Sequence, residues 1–223
     1  MRPVALYAAA GAALLAAAPA HPAPGQSHAD YLAWLAREPG QRMRVKSLRD
    51  HLQARGVADV VPTWQIVRTA SMWRGCMGPR FEVPPAAYWD NIVPTLRFIA
   101  RNVEPALGPV RAVSAYRNES LNSCAGGAPG SAHRSFQGLD LVPARALPRM
   151  SLLSRLCPIH RSAGEAAGIG LGIYQGVRFH IDANGFRRWG VSEPLDLALC
   201  GPWQRRADGA GVEGDATAGE AGD

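Results

Sequence analysis

Two histidines and an aspartate in this 223-residue chain stand at spacings that suit a metal centre. His133 and Asp140 are seven positions apart, so they can meet if His133 lies in a loop or first helical turn and Asp140 lies on a strand entered through Gly138. His180 comes later in the chain. Two histidines and one carboxylate form a known catalytic ligand set for zinc, because a fourth position stays open for the hydroxide that attacks an amide.

The residues around His180 alternate between apolar and polar types. Successive side chains of a strand point to opposite faces of the sheet. Phe179 and Ile181 are therefore expected to face the core, and His180 and Asp182 to share the other face. The pattern predicts a strand over 178–182 that presents its polar face to the metal.

Several short motifs follow one another over roughly Phe81 to Trp189. They are Ser114-Ala115-Tyr116-Arg117-Asn118 with Asn122, Gly126-Gly127, Ser131 with His133, Gly138 with Asp140, and Phe179-His180-Ile181-Asp182. In this order they resemble the zinc D-alanyl-D-alanine carboxypeptidase family. That family includes murein endopeptidases and shares a fold with the hedgehog signalling domain.

The resemblance implies a role for each matched residue. The zinc ligands it implies are His133, Asp140 and His180. Arg117 would point at the substrate and hold its carboxylate or polarised carbonyl oxygen, which suits the forked donors of a guanidinium. Ser131 would lie beside the metal and hydrogen-bond the substrate, and Tyr116 would help to bind it. The implied activity is zinc-dependent hydrolysis of D-amino-acid-containing amide bonds in peptidoglycan stem peptides, as a DD-carboxypeptidase or an endopeptidase.

One position departs from the family pattern. Several members carry an acidic general base three residues before the last histidine ligand, where this chain has Val177. Asp182 is the nearest replacement, and its alternative role is to orient the imidazole of His180. If no carboxylate serves as the base, the chain would be a non-catalytic zinc-containing module that binds peptidoglycan.

Hydrophobic periodicity predicts helices in the first half of the chain. Residues 28–56 indicate two short amphipathic helices broken at Pro39-Gly40. Breakers and aromatic residues over 61–85 indicate irregular structure. A 3.6-residue period over 86–103 predicts a core helix that ends before Pro105.

The second half mixes strands with helices. Strands are expected at 110–116 and 138–142, and a helix at 147–168. Asn184-Gly185 between the runs 178–182 and 186–189 favours a β-hairpin, and the glycine run 168–172 is interpreted as a turn into it. The expected fold is therefore α+β, with an antiparallel sheet and flanking helices.

The chain has four widely separated cysteines: Cys76, Cys124, Cys157 and Cys200. An even number of isolated cysteines in an exported chain indicates two disulfides, for which three connectivities exist. We favour Cys76 with Cys124 and Cys157 with Cys200.

The two ends of the chain differ from the rest. Residues 1–20 combine Arg2, an Ala/Leu-rich run and a small-residue site at Ala18-Pro19-Ala20, which predicts a signal peptide. An uncleaved anchor is the alternative. Residues 21–60 form an N-terminal helical segment, 61–206 the zinc peptidase-like domain and 207–223 a disordered acidic tail. The protein is thus expected in the periplasm or outside the cell, with no membrane span after cleavage.

Charge is concentrated in the middle of the chain. The whole chain has a formal charge of +6, but residues 21–206 hold 23 basic and 13 acidic residues, a formal charge of +10. Lys46 is the only lysine, so the positive charge is almost all guanidinium, which binds carboxylates and phosphates. Outside the cell this surface favours an anionic cell-wall polymer as the partner and not nucleic acid. A basic envelope protein without a metal site is the remaining alternative.

Overall fold

A computed structural model describes residues 24–190 and 193–201. The predicted signal peptide and the predicted acidic tail lie outside these residues. The α-helices of the described part are α1 (His28–Arg37), α2 (Pro39–Ala54), α3 (Thr63–Ile66), α4 (Val93–Phe98), α5 (Glu104–Leu107), α6 (Glu119–Cys124), α7 (Arg149–Ile159) and α8 (Pro194–Cys200). A 3-10 segment (Ala86–Ile92) precedes α4, and π segments (Ile99–Val103 and His160–Gly164) follow α4 and α7. The strands are β1 (Val110–Ser114), β2 (Gly138–Pro143), β3 (Gly170–Ile173), β4 (Phe179–Asp182) and β5 (Arg187–Trp189).

The two predicted N-terminal helices are confirmed as α1 and α2. A capping box begins α1, because Ser27 Oγ accepts from Asp30 N at 3.1 Å while Ser27 N donates to Asp30 Oδ2 at 2.9 Å. Pro39 occupies the first turn of α2, where its missing N–H costs no helical hydrogen bond. Both helices contribute to the same hydrophobic core as the sheet through Tyr31, Trp34, Val45, Leu48 and Leu52.

The helix predicted to end before Pro105 is longer than expected. It runs as consecutive 3-10, α, π and α segments to Leu107. Pro105 lies in the first turn of α5, directly after a π turn closed by Glu104 N donating to Ile99 O. The change of helix type at this point lets the chain pass a proline that would break a regular α-helix.

The sheet is mixed, so the prediction of an antiparallel sheet is wrong in part. Its strand order is β1-β2-β4-β3-β5, and β5 pairs with β3 in parallel while the other pairs are antiparallel. The predicted hairpin between 178–182 and 186–189 is also wrong, since β4 and β5 are not neighbours. The Asp182 carboxylate accepts from Asn184 N at 2.7 Å, and Gly185 N donates to Gly168 O at 3.0 Å, so the link crosses to the far edge of β3.

The structure joins Cys76 to Cys124 and Cys157 to Cys200, the pairing favoured from the sequence. The first bridge ties the irregular segment after α3 to α6, and the second ties α7 to α8. Two disulfides fit a protein that works outside the reducing cytosol. Among the described residues, no helix combines the length and apolar character needed to cross a membrane.

Candidate metal centre

The candidate site stands on one face of the sheet, where strand register brings its residues together. Asp140 on β2 lies directly opposite His180 on β4. Directly paired residues of neighbouring strands project to the same face. The row that contains them is Ser114, Asp140, His180, Gly172 and Trp189.

Glycines beside these side chains leave space for them. A Cβ atom at position 138 would lie 2.6 Å from His180 Cε1, and one at position 170 would lie 2.7 Å from Asp182 Oδ2. A Cβ atom at position 172 would lie 2.7 Å from Trp189 Cε2. The run 168–172, expected to be a turn, is therefore partly a strand that needs glycine because large polar and aromatic groups cover it.

His133 reaches the sheet from the turn that precedes β2. Arg117 N donates to His133 O at 3.1 Å, which ties this turn to the segment after β1. Phe136 in the same turn is fully buried with φ of 56°, a conformation that a bulky residue adopts only when its surroundings hold it there. Tertiary packing thus fixes the turn that aims His133 at Asp140.

The hydrogen bonds of the two imidazoles decide which ring nitrogens remain available to bind a metal ion. His133 Nδ1 lies 2.5 Å from Ala115 O, and His180 Nε2 lies 2.9 Å from Asp182 Oδ2. A carbonyl and a carboxylate only accept, so each of these nitrogens carries the proton. The same rule places a second proton on His180 Nδ1, which lies 2.9 Å from Asp140 Oδ1. When that proton is displaced, His133 Nε2 and His180 Nδ1 are the nitrogens that can bind a metal ion.

Three ligand atoms converge in this arrangement. His133 Nε2 and His180 Nδ1 lie 3.3 Å and 2.9 Å from Asp140 Oδ1. Each of the three residues offers one ligand atom, and these atoms lie within 4.8 Å of one another. The three side chains are at most 3% exposed. Two imidazole nitrogens and one carboxylate oxygen form a donor set that suits a divalent metal ion once the nitrogens are deprotonated. The cluster is thus suited to hold a metal ion.

Two guanidinium groups bind the other oxygen of the same aspartate. Arg117 Nη2 and Arg178 Nη2 each donate to Asp140 Oδ2 at 2.6 Å. Although burial would raise the pKa of Asp140, the charges of His133, Arg178 and Arg117 hold that pKa well below its ordinary value. Asp140 is therefore ionised and presents a single oxygen to a metal.

Asp182 lies on the opposite side of the His180 ring from Asp140. Besides His180 Nε2, it binds Arg187 through contacts of 2.9 Å and 2.8 Å. Burial opposes its ionisation, but the hydrogen bond from His180 and the charges of His180 and Arg187 lower its pKa overall. Of the two roles considered for Asp182, this geometry favours orientation of the imidazole over proton transfer at the metal. Val177 is half-buried and packs against the core.

The remaining predicted residues lie close to the cluster. Arg117 is buried and donates from Nε to Ser114 Oγ at 3.0 Å. Ser131 and Tyr116 line a cleft of about 510 Å³, together with Glu119 and Arg134. The Ser131 hydroxyl oxygen accepts from His133 N at 3.3 Å. Ser131 therefore supports the turn that carries His133 while also facing the cleft.

Sequence reasoning missed Arg178 and Arg187. The alternation that placed His180 and Asp182 on one strand face also places Arg178 beside them, so the signal was present. No sequence pattern indicated Arg187, because the predicted hairpin pairs its strand with β4, whereas the structure pairs that strand with β3. Its contact with Asp182 depends on the parallel pairing of β5 with β3.

The two histidines are expected to differ in how protons compete with a metal. Burial, assisted by the charge of Arg117, lowers the pKa of His133 to about 4. For His180 burial opposes the charge, but hydrogen bonds to Asp140 and Asp182 raise the pKa above its ordinary value of 6.5. Between about pH 4.5 and 6.5, His133 is then neutral and His180 is protonated.

Binding of a divalent metal ion at this cluster in that pH range is therefore expected to displace one proton from the histidines and not two, and Zn²⁺ serves as the probe. The apparent Kd for Zn²⁺ should fall about tenfold for each pH unit gained between pH 5 and 6.5. Calorimetric titration of Zn²⁺ in buffers of different ionisation enthalpy measures the released protons directly. Release of two protons over this range would contradict the inferred difference between the histidines.

Comparison of the chain with protein-family models, with curated proteins and with solved structures gives no match.

Proposed function

We propose that this protein is a zinc-dependent peptidase of the bacterial envelope, which hydrolyses D-amino-acid-containing amide bonds in peptidoglycan stem peptides. The observation that carries the proposal is the convergence of His133 Nε2, Asp140 Oδ1 and His180 Nδ1 on one buried position. The motif resemblance to zinc D-alanyl-D-alanine carboxypeptidases and murein endopeptidases supplies the substrate class. Two disulfides and the predicted signal peptide support a periplasmic or secreted location.

The donor set suits zinc in its chemistry, and the two distances to Asp140 are close to those of a zinc site. Ligand atoms bound about 2.0–2.2 Å from a tetrahedral zinc ion lie roughly 3.3 Å from one another. The distances from Asp140 Oδ1 to the two histidine nitrogens are 3.3 Å and 2.9 Å. Three protein ligands leave a fourth tetrahedral position, which is the arrangement of catalytic zinc sites and not of structural ones.

Each residue of the centre has a defined task in this proposal. When bound, zinc supplies Lewis-acid activation of a water molecule and of the scissile carbonyl. Ala115 O and Asp182 hold the protons of His133 Nδ1 and His180 Nε2, so the facing nitrogens stay available. Arg117 helps to keep Asp140 ionised, and the resemblance implies that its charge stabilises the negative charge that develops on the carbonyl oxygen.

A non-catalytic zinc-containing module that binds peptidoglycan is the second candidate. The contacts of Asp182 favour it, because this carboxylate is committed to His180 and Arg187 and lies on the far side of the imidazole. Val177, at the position of the acid in the resembled family, offers no proton acceptor. The protein could then bind zinc and a stem peptide without turnover.

Digestion of purified sacculi separates the two candidates. The zinc-loaded full chain is incubated with sacculi, and the released products are resolved by chromatography. A DD-carboxypeptidase releases free D-alanine, whereas an endopeptidase converts cross-linked dimers into monomers. The enzyme proposal predicts such products from the wild type and none from the His180→Ala variant.

The same incubation also reports binding. Sedimentation of the protein with the sacculi, without any new product, would reject the enzyme and support the module. Products of equal yield from the wild type and His180→Ala would reject the metal centre as their source. Far-UV circular dichroism of His180→Ala checks that the variant is folded.

A further inference from the structure

We propose that Arg178 binds a carboxylate group of the ligand at the accessible edge of the metal centre. The inference deepens the proposed function, on which it rests for the identity of the ligand as a peptide. It separates the roles of the two arginines at Asp140, since the resemblance implies substrate contact for Arg117 and none for Arg178.

Exposure distinguishes the groups that surround Asp140. The side chains of His133 and His180 are 3% exposed and that of Arg117 is 9% exposed. The side chain of Arg178 is 31% exposed. Of the described residues that bind Asp140, Arg178 is therefore the one that a ligand can reach from solvent without rearrangement of the sheet.

The donors of the two guanidiniums are also used differently. Arg117 donates from Nε to Ser114 Oγ at 3.0 Å and from Nη2 to Asp140 at 2.6 Å. Arg178 shares the same Asp140 oxygen, and its Nη1 reaches Ser71 Oγ only at 3.4 Å. Its buried Nε has no acceptor among the described residues. A buried donor without an acceptor is rare and indicates a missing partner.

The backbone holds Arg178 firmly at this position. Tyr174 N donates to Arg178 O at 3.1 Å across the tight connection between β3 and β4. The guanidinium carbon lies 5.3 Å from the centre of the Tyr174 ring, within the range of a cation–π contact. The fold thus holds the backbone of Arg178 and keeps its guanidinium group next to Asp140. A short movement of this group from Asp140 to a ligand therefore costs little conformational entropy.

The charge of the centre favours an anionic ligand. Two carboxylates, Asp140 and Asp182, face three guanidiniums, which gives a formal charge of +1 with neutral histidines. A dication would raise this charge further. Asp140 keeps Arg117 when Arg178 turns to a ligand, so the exchange leaves no buried carboxylate without a partner. A carboxylate also matches the planar fork of the guanidinium.

A stem peptide offers a carboxylate at its C-terminus or in an acidic side chain. Three probes distinguish these sources: Nα,Nε-diacetyl-L-lysyl-D-alanyl-D-alanine, its C-terminal amide, and that amide with the Nα-acetyl group replaced by an acetyl-γ-D-glutamyl residue whose α-carboxylate is free. Each is titrated calorimetrically into the zinc-loaded full chain at low temperature. Chromatography of the cell contents afterwards reports any turnover.

We expect the wild type to bind a carboxylate probe roughly 10- to 100-fold more tightly than the plain amide. Arg178→Gln should reduce this preference to within about twofold without changing the affinity for the amide, because the amide lacks the charged acceptor. Arg178→Lys should restore part of the preference. Arg55→Gln is the matched control, since Arg55 pairs with Asp90 at 2.9 Å and takes no part in the cluster or in the lining of the cleft; it should keep the full preference.

The outcomes separate this inference from the proposed function. A preference for the free C-terminus or for the glutamyl probe that is lost in Arg178→Gln supports the proposed role of Arg178. The preferred probe identifies which carboxylate Arg178 binds. An unchanged preference in Arg178→Gln, no preference in the wild type, or its loss in Arg55→Gln would overturn the inference. Absence of turnover or of bound zinc would count against the peptidase, while the acid-to-amide ratio would still decide the role of Arg178.

Discussion

Replacement of His180 by alanine is expected to abolish zinc binding and, with it, any hydrolysis of sacculi. His180 supplies one of three ligand atoms through Nδ1, and the remaining two do not make a catalytic zinc site. The zinc content of the purified protein should fall from about one equivalent to below about a tenth of an equivalent. Atomic emission after dialysis against a weak chelator measures this change.

The thermal response to zinc should disappear in the same variant. At zinc concentrations a thousand times its Kd, bound zinc stabilises the native state by about 4 kcal/mol. Addition of zinc should therefore raise the Tm of the wild type and leave that of His180→Ala unchanged. The variant should still fold, because Arg187 continues to hold Asp182 through two hydrogen bonds.

His51→Ala is the matched control for the loss of a histidine. His51 lies on α2, contacts Asp90 at 3.1 Å and takes no part in the cluster. Its replacement should change neither zinc content nor zinc-dependent Tm. Retention of zinc in a His133→Ala/His180→Ala double variant would show that the metal binds elsewhere, and the site would have to be abandoned.

The second large effect is expected for Asp182→Asn. An amide in place of the carboxylate no longer favours the proton on His180 Nε2, so the ring is held less firmly with Nδ1 towards the metal. Loss of such an orienting carboxylate raises the Kd for zinc by roughly 10- to 100-fold. If Asp182 only orients the ring, kcat at saturating zinc should largely recover. Zinc titration with a fluorescent chelator and sacculus digestion at high zinc measure the two quantities.

Asp196→Asn provides a control of the same chemical type. Asp196 is fully buried and binds Arg149 through contacts of 3.0 Å and 2.6 Å, between α8 and the start of α7. Its replacement should reduce stability, as the loss of any buried carboxylate partner does, but should leave the Kd for zinc unchanged. An unaltered Kd in Asp182→Asn, combined with loss of kcat, would instead identify Asp182 as the general base.

Local patterns in the sequence predicted much of the scaffold. The 3.6-residue period of α1 and α2 and the two-residue alternation of β4 are properties of neighbouring residues, so they can be read before the chain folds. The same alternation placed His180 and Asp182 on one face. Spacing made His133 and Asp140 candidates and the resemblance assigned them, with His180, as ligands; the structure brings the three residues together.

Which strands pair with one another could not be predicted in this way. Whether β5 pairs with β4 or with β3 depends on contacts made across the sheet, such as those of Asp182 with Asn184 and Arg187. The glycines of β3 have low strand propensity, so the sequence alone predicts a turn there. They form a strand because the side chains of Asp182 and Trp189 occupy the space above them.

The sequence by itself determined which chemical groups this protein has for a metal centre, and tertiary structure decided how each group is used. Hydrogen bonds to Ala115 O and Asp182 select the available nitrogens of the two histidines. Register sets Asp140 beside His180, and Arg178 reaches the same carboxylate from the exposed edge. These roles depend on distances of about 3 Å between residues far apart in the chain, which only the folded arrangement of strands can fix.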